Sequence, residues 1–164
     1  MKKILATCLL AAATLYPRAT SADMGTPNLE GSWSLTIRGL VYDMAARSKK
    51  LLPVSTSATM KITQLDDGRL NIEIDGATGV LDQWTPTPDF EGEGLVGNST
   101  LVANMCGAST GFSQSIHGTA EASGEAISGE WWIIDNRTSS GGIAIVQFAG
   151  ARTATADPEV AGCQ

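Results

Sequence analysis

Residues 124–152, GEAISGEWWIIDNRTSSGGIAIVQFAGAR, decide the fold class. They contain two apolar, β-prone runs, Glu125–Asp135 and Ile143–Arg152, joined by the polar, glycine-containing connection Asn136–Gly142. Neither run carries the three-to-four-residue apolar period of a helix. Earlier in the chain, Glu30–Tyr42 supplies a partner strand: Trp33, Leu35 and Ile37 alternate with Ser32, Ser34 and Thr36, the period of two that one buried sheet face requires.

The same alternation recurs between these ends. In Ser57–Leu65, Ala58, Met60 and Ile62 alternate with Thr59, Lys61 and Thr63. Asp66-Asp67-Gly68 then marks a hairpin, because glycine reaches positive φ without steric cost. The return strand alternates Leu70, Ile72 and Ile74 with Asn71, Glu73 and Asp75. Further short runs follow at Val80–Trp84, Phe90–Val96, Ser99–Met105 and Phe112–Ala120. The prolines of Thr85–Pro88 cannot donate to a central ladder, so that segment is a loop or an edge. Asp43–Pro53 reads as a short helical turn or a long loop, and Thr153–Gln164 as an irregular tail. Eight or nine short strands and 18 glycines, with no amphipathic helix, predict an all-β antiparallel meander. It closes into a small eight-stranded up-and-down barrel, which removes sheet edges, or folds as a β-sandwich.

The N-terminus reads as a secretory signal peptide over residues 1–22. Lys2 and Lys3 precede the apolar stretch Ile4–Tyr16, and Thr20-Ser21-Ala22 gives small residues for cleavage. The apolar stretch is short for a bilayer span, and none is expected after cleavage. Residues 23–164 then form one domain, periplasmic or secreted from a bacterium. With Lys2, Lys3 and Arg18 removed, the 17 acidic residues outnumber the basic ones by about nine. That balance argues against nucleic acid as a partner.

Cys106 and Cys163 remain after Cys8 leaves with the signal peptide. Two cysteines in an oxidising compartment predict one disulfide, which would staple the tail to the body of the domain. His117 is the only histidine, so the chain offers poor material for a metal site, and no cofactor is expected. A set built from His117 with Ser113 or Ser115 lacks the Gly-x-Ser-x-Gly elbow, so no catalytic residue is assigned. Asp89, Glu91 and Glu93 share one face if extended, and read as solvated carboxylates.

Gly31-Ser32-Trp33 resembles the Gly-x-Trp on the first strand of calycins, the lipocalin, fatty-acid-binding protein and avidin group. The resemblance implies that Trp33 packs across the closed end of a barrel against an arginine of the last strand, here Arg152. The middle lipocalin motif and the avidins' biotin-contacting pattern are not found. The implied function is binding of a small apolar ligand.

Trp131-Trp132 must send its two indoles to opposite faces of a regular strand. The expected internal face is Ile127, Gly129, Trp131 and Ile133, with Gly129 leaving room for a cavity. Trp84, Trp131 and Ile133 are therefore the candidate ligand contacts. The segment carrying Met44, Arg47, Lys49 and Lys50 is the candidate lid. The expected activity is non-enzymatic binding of a small apolar or amphipathic ligand. The alternative is a protein-interaction module, such as a hydrolase inhibitor, with a protein partner.

Overall fold

Eight antiparallel strands follow one another around a closed barrel in the computed structural model, which describes residues 25–43, 51–75, 90–109, 111–136 and 142–164. They are β1 (Gly31–Asp43), β2 (Leu51–Gln64), β3 (Arg69–Ile74), β4 (Phe90–Val96), β5 (Thr100–Met105), β6 (Phe112–Ala120), β7 (Ala126–Asp135) and β8 (Gly142–Ala154). Each strand pairs with its chain neighbours, and β1 closes on β8, with Trp33 opposite Arg152 and Val41 opposite Ala144. Closure of β1 on β8 joins the first strand to the last and excludes the sandwich.

The period-two alternation directs the packing. Trp33, Leu35, Ile37 and Val41 of β1, Met60 and Ile62 of β2, and Leu70, Ile72 and Ile74 of β3 point inward and are buried. With Phe90, Leu101, Ile116, Ile127, Trp131, Val146 and Phe148 they form one apolar cluster. Burying a side chain of this size is worth about 1.5–3 kcal/mol. The interior, rather than any local propensity, therefore fixes which face of each strand turns in.

The two ends of the barrel differ. At one end the turns are tight. Gly68, at φ 82°, closes the β2–β3 hairpin, its N–H donating to the Leu65 carbonyl at 2.9 Å. At the opposite end the connections 44–50, 75–89 and 136–141 are longer and lie largely outside the described residues. Among the described residues the strands also differ in length. β1, β2 and β8 have 13, 14 and 13 residues, whereas β3 and β5 have six each.

Two boundaries differ from expectation. β2 begins at Leu51 and includes Pro53, where the sequence pattern suggested a loop through residue 53. Pro53 opposes Leu40 of β1, while the register with β3 begins only at Met60, so among the described residues the missing N–H interrupts no β2–β3 ladder. The Val80–Trp84 run lies outside the described residues.

After β8 the chain crosses back over the outside of the wall. Thr63 Oγ1 donates to Asp157 Oδ1 at 3.0 Å, and the Val160 N–H donates to Thr63 Oγ1 at 3.0 Å. The Cys163 N–H donates to Glu93 Oε1 at 2.8 Å. The strap ends in a Cys106–Cys163 disulfide with Cα atoms 5.4 Å apart, across a separation of 57 residues.

Candidate functional site

Trp33 is fully buried at the tight end, with its indole N–H donating to the Leu29 carbonyl at 3.0 Å. The Arg152 guanidinium carbon sits 5.2 Å from its ring centroid. Arg152 Nε donates to the Gly124 carbonyl at 2.8 Å and Nη1 to the Glu30 carbonyl at 3.2 Å, while Nη2 reaches the Asn28 and Gly124 carbonyls. Gly124, at φ 68°, has no room for a side chain, since a Cβ there would lie 2.7 Å from Arg152 Nη2. Gly31 likewise has the Ala154 carbonyl where a Cβ would stand. The tight end is thus plugged by an arginine that binds the entering chain and the β6–β7 turn together.

The candidate site lies in the interior toward the other end. Among the described residues, its one buried polar side chain is Gln114 on β6, 2% exposed. Trp131 Nε1 donates to Gln114 Oε1 at 3.0 Å, and Gln114 Nε2 faces Met105 Sδ at 3.0 Å. A thioether is a weak acceptor. The amide therefore keeps one N–H and one lone pair that neither contact uses. In register, Gln114, Ile133, Ala144 and Val41 form one rung across β6, β7, β8 and β1. Ile133 and Trp131 both point inward and are 3% exposed.

Below this rung the barrel is filled. The Trp131 ring meets Phe90 edge-on, with centroids 6.0 Å apart and planes at 82°. Gly129 shares the internal face as expected from its spacing, but leaves no cavity. A Cβ there would lie 2.5 Å from Gly118 Cα, because the paired glycines let β6 and β7 approach closely. A Cβ on Gly118 would in turn lie 3.2 Å from Phe148 Cζ.

Trp84 and the candidate lid residues Met44, Arg47, Lys49 and Lys50 lie outside the described residues, as does Asp89. Glu91 and Glu93 point outward; Glu93 holds the tail, a role that its alternation with glycines did not reveal. His117 is on the outer face, 3.2 Å from Ser115 Oγ, with its ring 5.6 Å from that of Trp132. Among the described residues, no three His, Cys, Asp or Glu side chains cluster as metal ligands. The β6 run is rich in serine and threonine, and nothing in that pattern marks the Gln114 amide as internal.

No family model and no curated protein matches the chain. Among solved structures, it is similar to the monomer form of the M. tuberculosis PknI sensor domain, with a TM-score of 0.40 and 14% identity over 81% of this chain and 92% of that one. It is also similar to a protein of unknown function of the DUF3598 family from Nostoc punctiforme, with a TM-score of 0.38 and 12% identity over 82% of this chain and 53% of that one. Similarity at this level carries no argument about family or activity.

Proposed function

We propose that the protein is an exported, non-enzymatic barrel that binds a small apolar or amphipathic ligand at the end of the barrel opposite Trp33. The observation that carries this reading is Gln114. A buried amide among apolar side chains costs free energy unless its hydrogen bonds are made, and here one partner is a thioether that a ligand oxygen would outcompete. The Cys106–Cys163 disulfide fits a thiol-oxidising compartment.

The test is a native mass spectrum of protein purified from the bacterial periplasm. A discrete extra mass that disappears on denaturation is expected. An apo mass alone, with no change in tryptophan fluorescence on titration with medium-chain fatty acids, would overturn the reading. A second reading, a protein-interaction module such as a hydrolase inhibitor, is favoured by one observation: apolar side chains stand exposed on the outside of β1, β7 and β8.

A further inference from the structure

The outer face of β1, β8 and β7 carries an exposed apolar patch. Leu40 is 50% exposed, Ile145 48%, Trp132 41% and Ile143 37%. An isolated exposed leucine needs no explanation, but a contiguous patch marks a contact surface. The register makes it contiguous. Leu40, Ile145 and Trp132 form one row across β1, β8 and β7, and Tyr42, Ile143 and Ile134 form the next. Trp132 is held ready: its Nε1 donates to Glu130 Oε2 at 2.9 Å, and the His117 ring flanks it. A pre-ordered aromatic side chain loses little entropy on contact and is a common anchor of interfaces.

A third row bounds the patch and selects its occupant. Arg38, Gln147 and Glu130 lie side by side on β1, β8 and β7. Their charges run positive, neutral, negative about β8. Among the described residues no ion pair joins Arg38 to a carboxylate. We infer that this face binds a second copy of the chain about a two-fold axis running along β8.

Such an axis lays β1 of one copy on β7 of the other at the same height. Arg38 then meets Glu130 of the second copy, and Glu130 meets its Arg38, giving two ion pairs from one asymmetric row. Leu40 covers Trp132, while Ile145 and Ile143 each meet their own copies. A two-fold axis perpendicular to the strands instead sets β1 on β1 and leaves both charges against the Tyr42–Ile134 row. Charge complementarity therefore distinguishes the two isologous arrangements. The patch holds one charge of each sign although the chain is net −6, so it favours neither a basic nor an acidic partner.

The inference does not depend on ligand binding, and its test is a charge swap followed by sedimentation velocity up to roughly 100 µM. Wild type is expected to dimerise. Arg38→Glu and Glu130→Arg, each alone, place like charges together twice and should weaken association at least tenfold. An equimolar mixture of the two single variants should dimerise again, because each copy then offers the other the opposite sign. Both substitutions are on the surface, and circular dichroism confirms that the variants fold. A monomeric wild type overturns the inference and leaves the patch to a different protein. Dimers indifferent to either substitution overturn the assignment of the face, and failure of the mixture to associate overturns the axis.

Discussion

The guanidinium carbon of Arg152 lies 5.2 Å from the centroid of the Trp33 ring, and the arginine donates to carbonyls of Gly124, Glu30 and Asn28 around it. Its side chain is only 8% exposed. Losing it strands three carbonyl groups and removes a cation from an aromatic face. Arg152→Met is expected to destabilise the protein by about 3 kcal/mol. Arg152→Lys should cost roughly half as much, because one ammonium cannot copy a planar fork of donors. Urea denaturation measures both, and equal losses for the two variants would show that charge alone matters.

Much of this architecture is legible in the residues. Strict alternation in Ser32–Ile37 and Leu70–Asp75 fixes which side chains face in, and a chain that repeats it with tight turns must close or stack. The Trp33–Arg152 contact is readable only through family resemblance, since no local pattern joins residues so far apart. The start of β2 at Leu51, inside the stretch that reads as a turn or loop, depends on which neighbouring strand reaches that height, and β1 does. The filling of the space above Gly129 depends on Gly118 across the ladder, a partner that single-strand periodicity does not identify. The outward apolar rows were hidden for the same reason: Leu40, Ile145 and Trp132 are adjacent only once the register is known.

The paired glycines of β6 and β7 predict a steep cost for a single methyl group. Gly129→Ala puts a Cβ 2.5 Å from Gly118 Cα and against the His117 carbonyl, so the strands must separate. A loss of about 2–3 kcal/mol is expected, in line with overpacking of a rigid interior. Hydrogen exchange should locate it, with faster exchange across β6 and β7 and little change in β2 and β3. Unchanged exchange there would mean that the ladder relaxes freely.

The tail strap and the disulfide are separable from the barrel. Cys106→Ser/Cys163→Ser removes the crosslink over 57 residues and lowers stability by up to about 4 kcal/mol in the chain-entropy description. Bonds from Thr63 and Glu93 to the tail should open with it, while Trp131 stays buried. The expected result is a lower urea midpoint with an unchanged native tryptophan emission maximum. A red-shifted emission before unfolding would show instead that the strap holds the wall closed.

The Trp131–Gln114 hydrogen bond, buried and 3.0 Å long, should be worth about 1 kcal/mol net, with a larger penalty when one partner is left alone. Gln114→Leu orphans the indole N–H and is expected to cost about 2 kcal/mol. Adding Trp131→Phe to that variant removes the orphan, so the double variant should be more stable than the sum of the single losses predicts. A double-mutant cycle in urea gives the coupling directly. Strict additivity would mean that water reaches the indole, and that the upper barrel is open to solvent.

The β2–β3 turn gives a pH signature of known sign. The Arg69 N–H donates to Asp67 Oδ1 at 3.1 Å and Arg69 Nε to Oδ2 at 2.7 Å. The backbone bond chiefly, and the side-chain bond after it, hold the Asp67 carboxyl below its ordinary 3.8. A carboxyl depressed in the folded state contributes stability above its unfolded value and loses it as pH falls through the folded one. Asp67→Asn should therefore reduce stability slightly at neutral pH, and the difference from wild type should shrink below about pH 4. The pair is well exposed, so the effect is small and partly screened by salt. Urea midpoints of both proteins between pH 2.5 and 7 at low ionic strength would show it. Parallel curves across that range would mean that the turn is held by Gly68 alone.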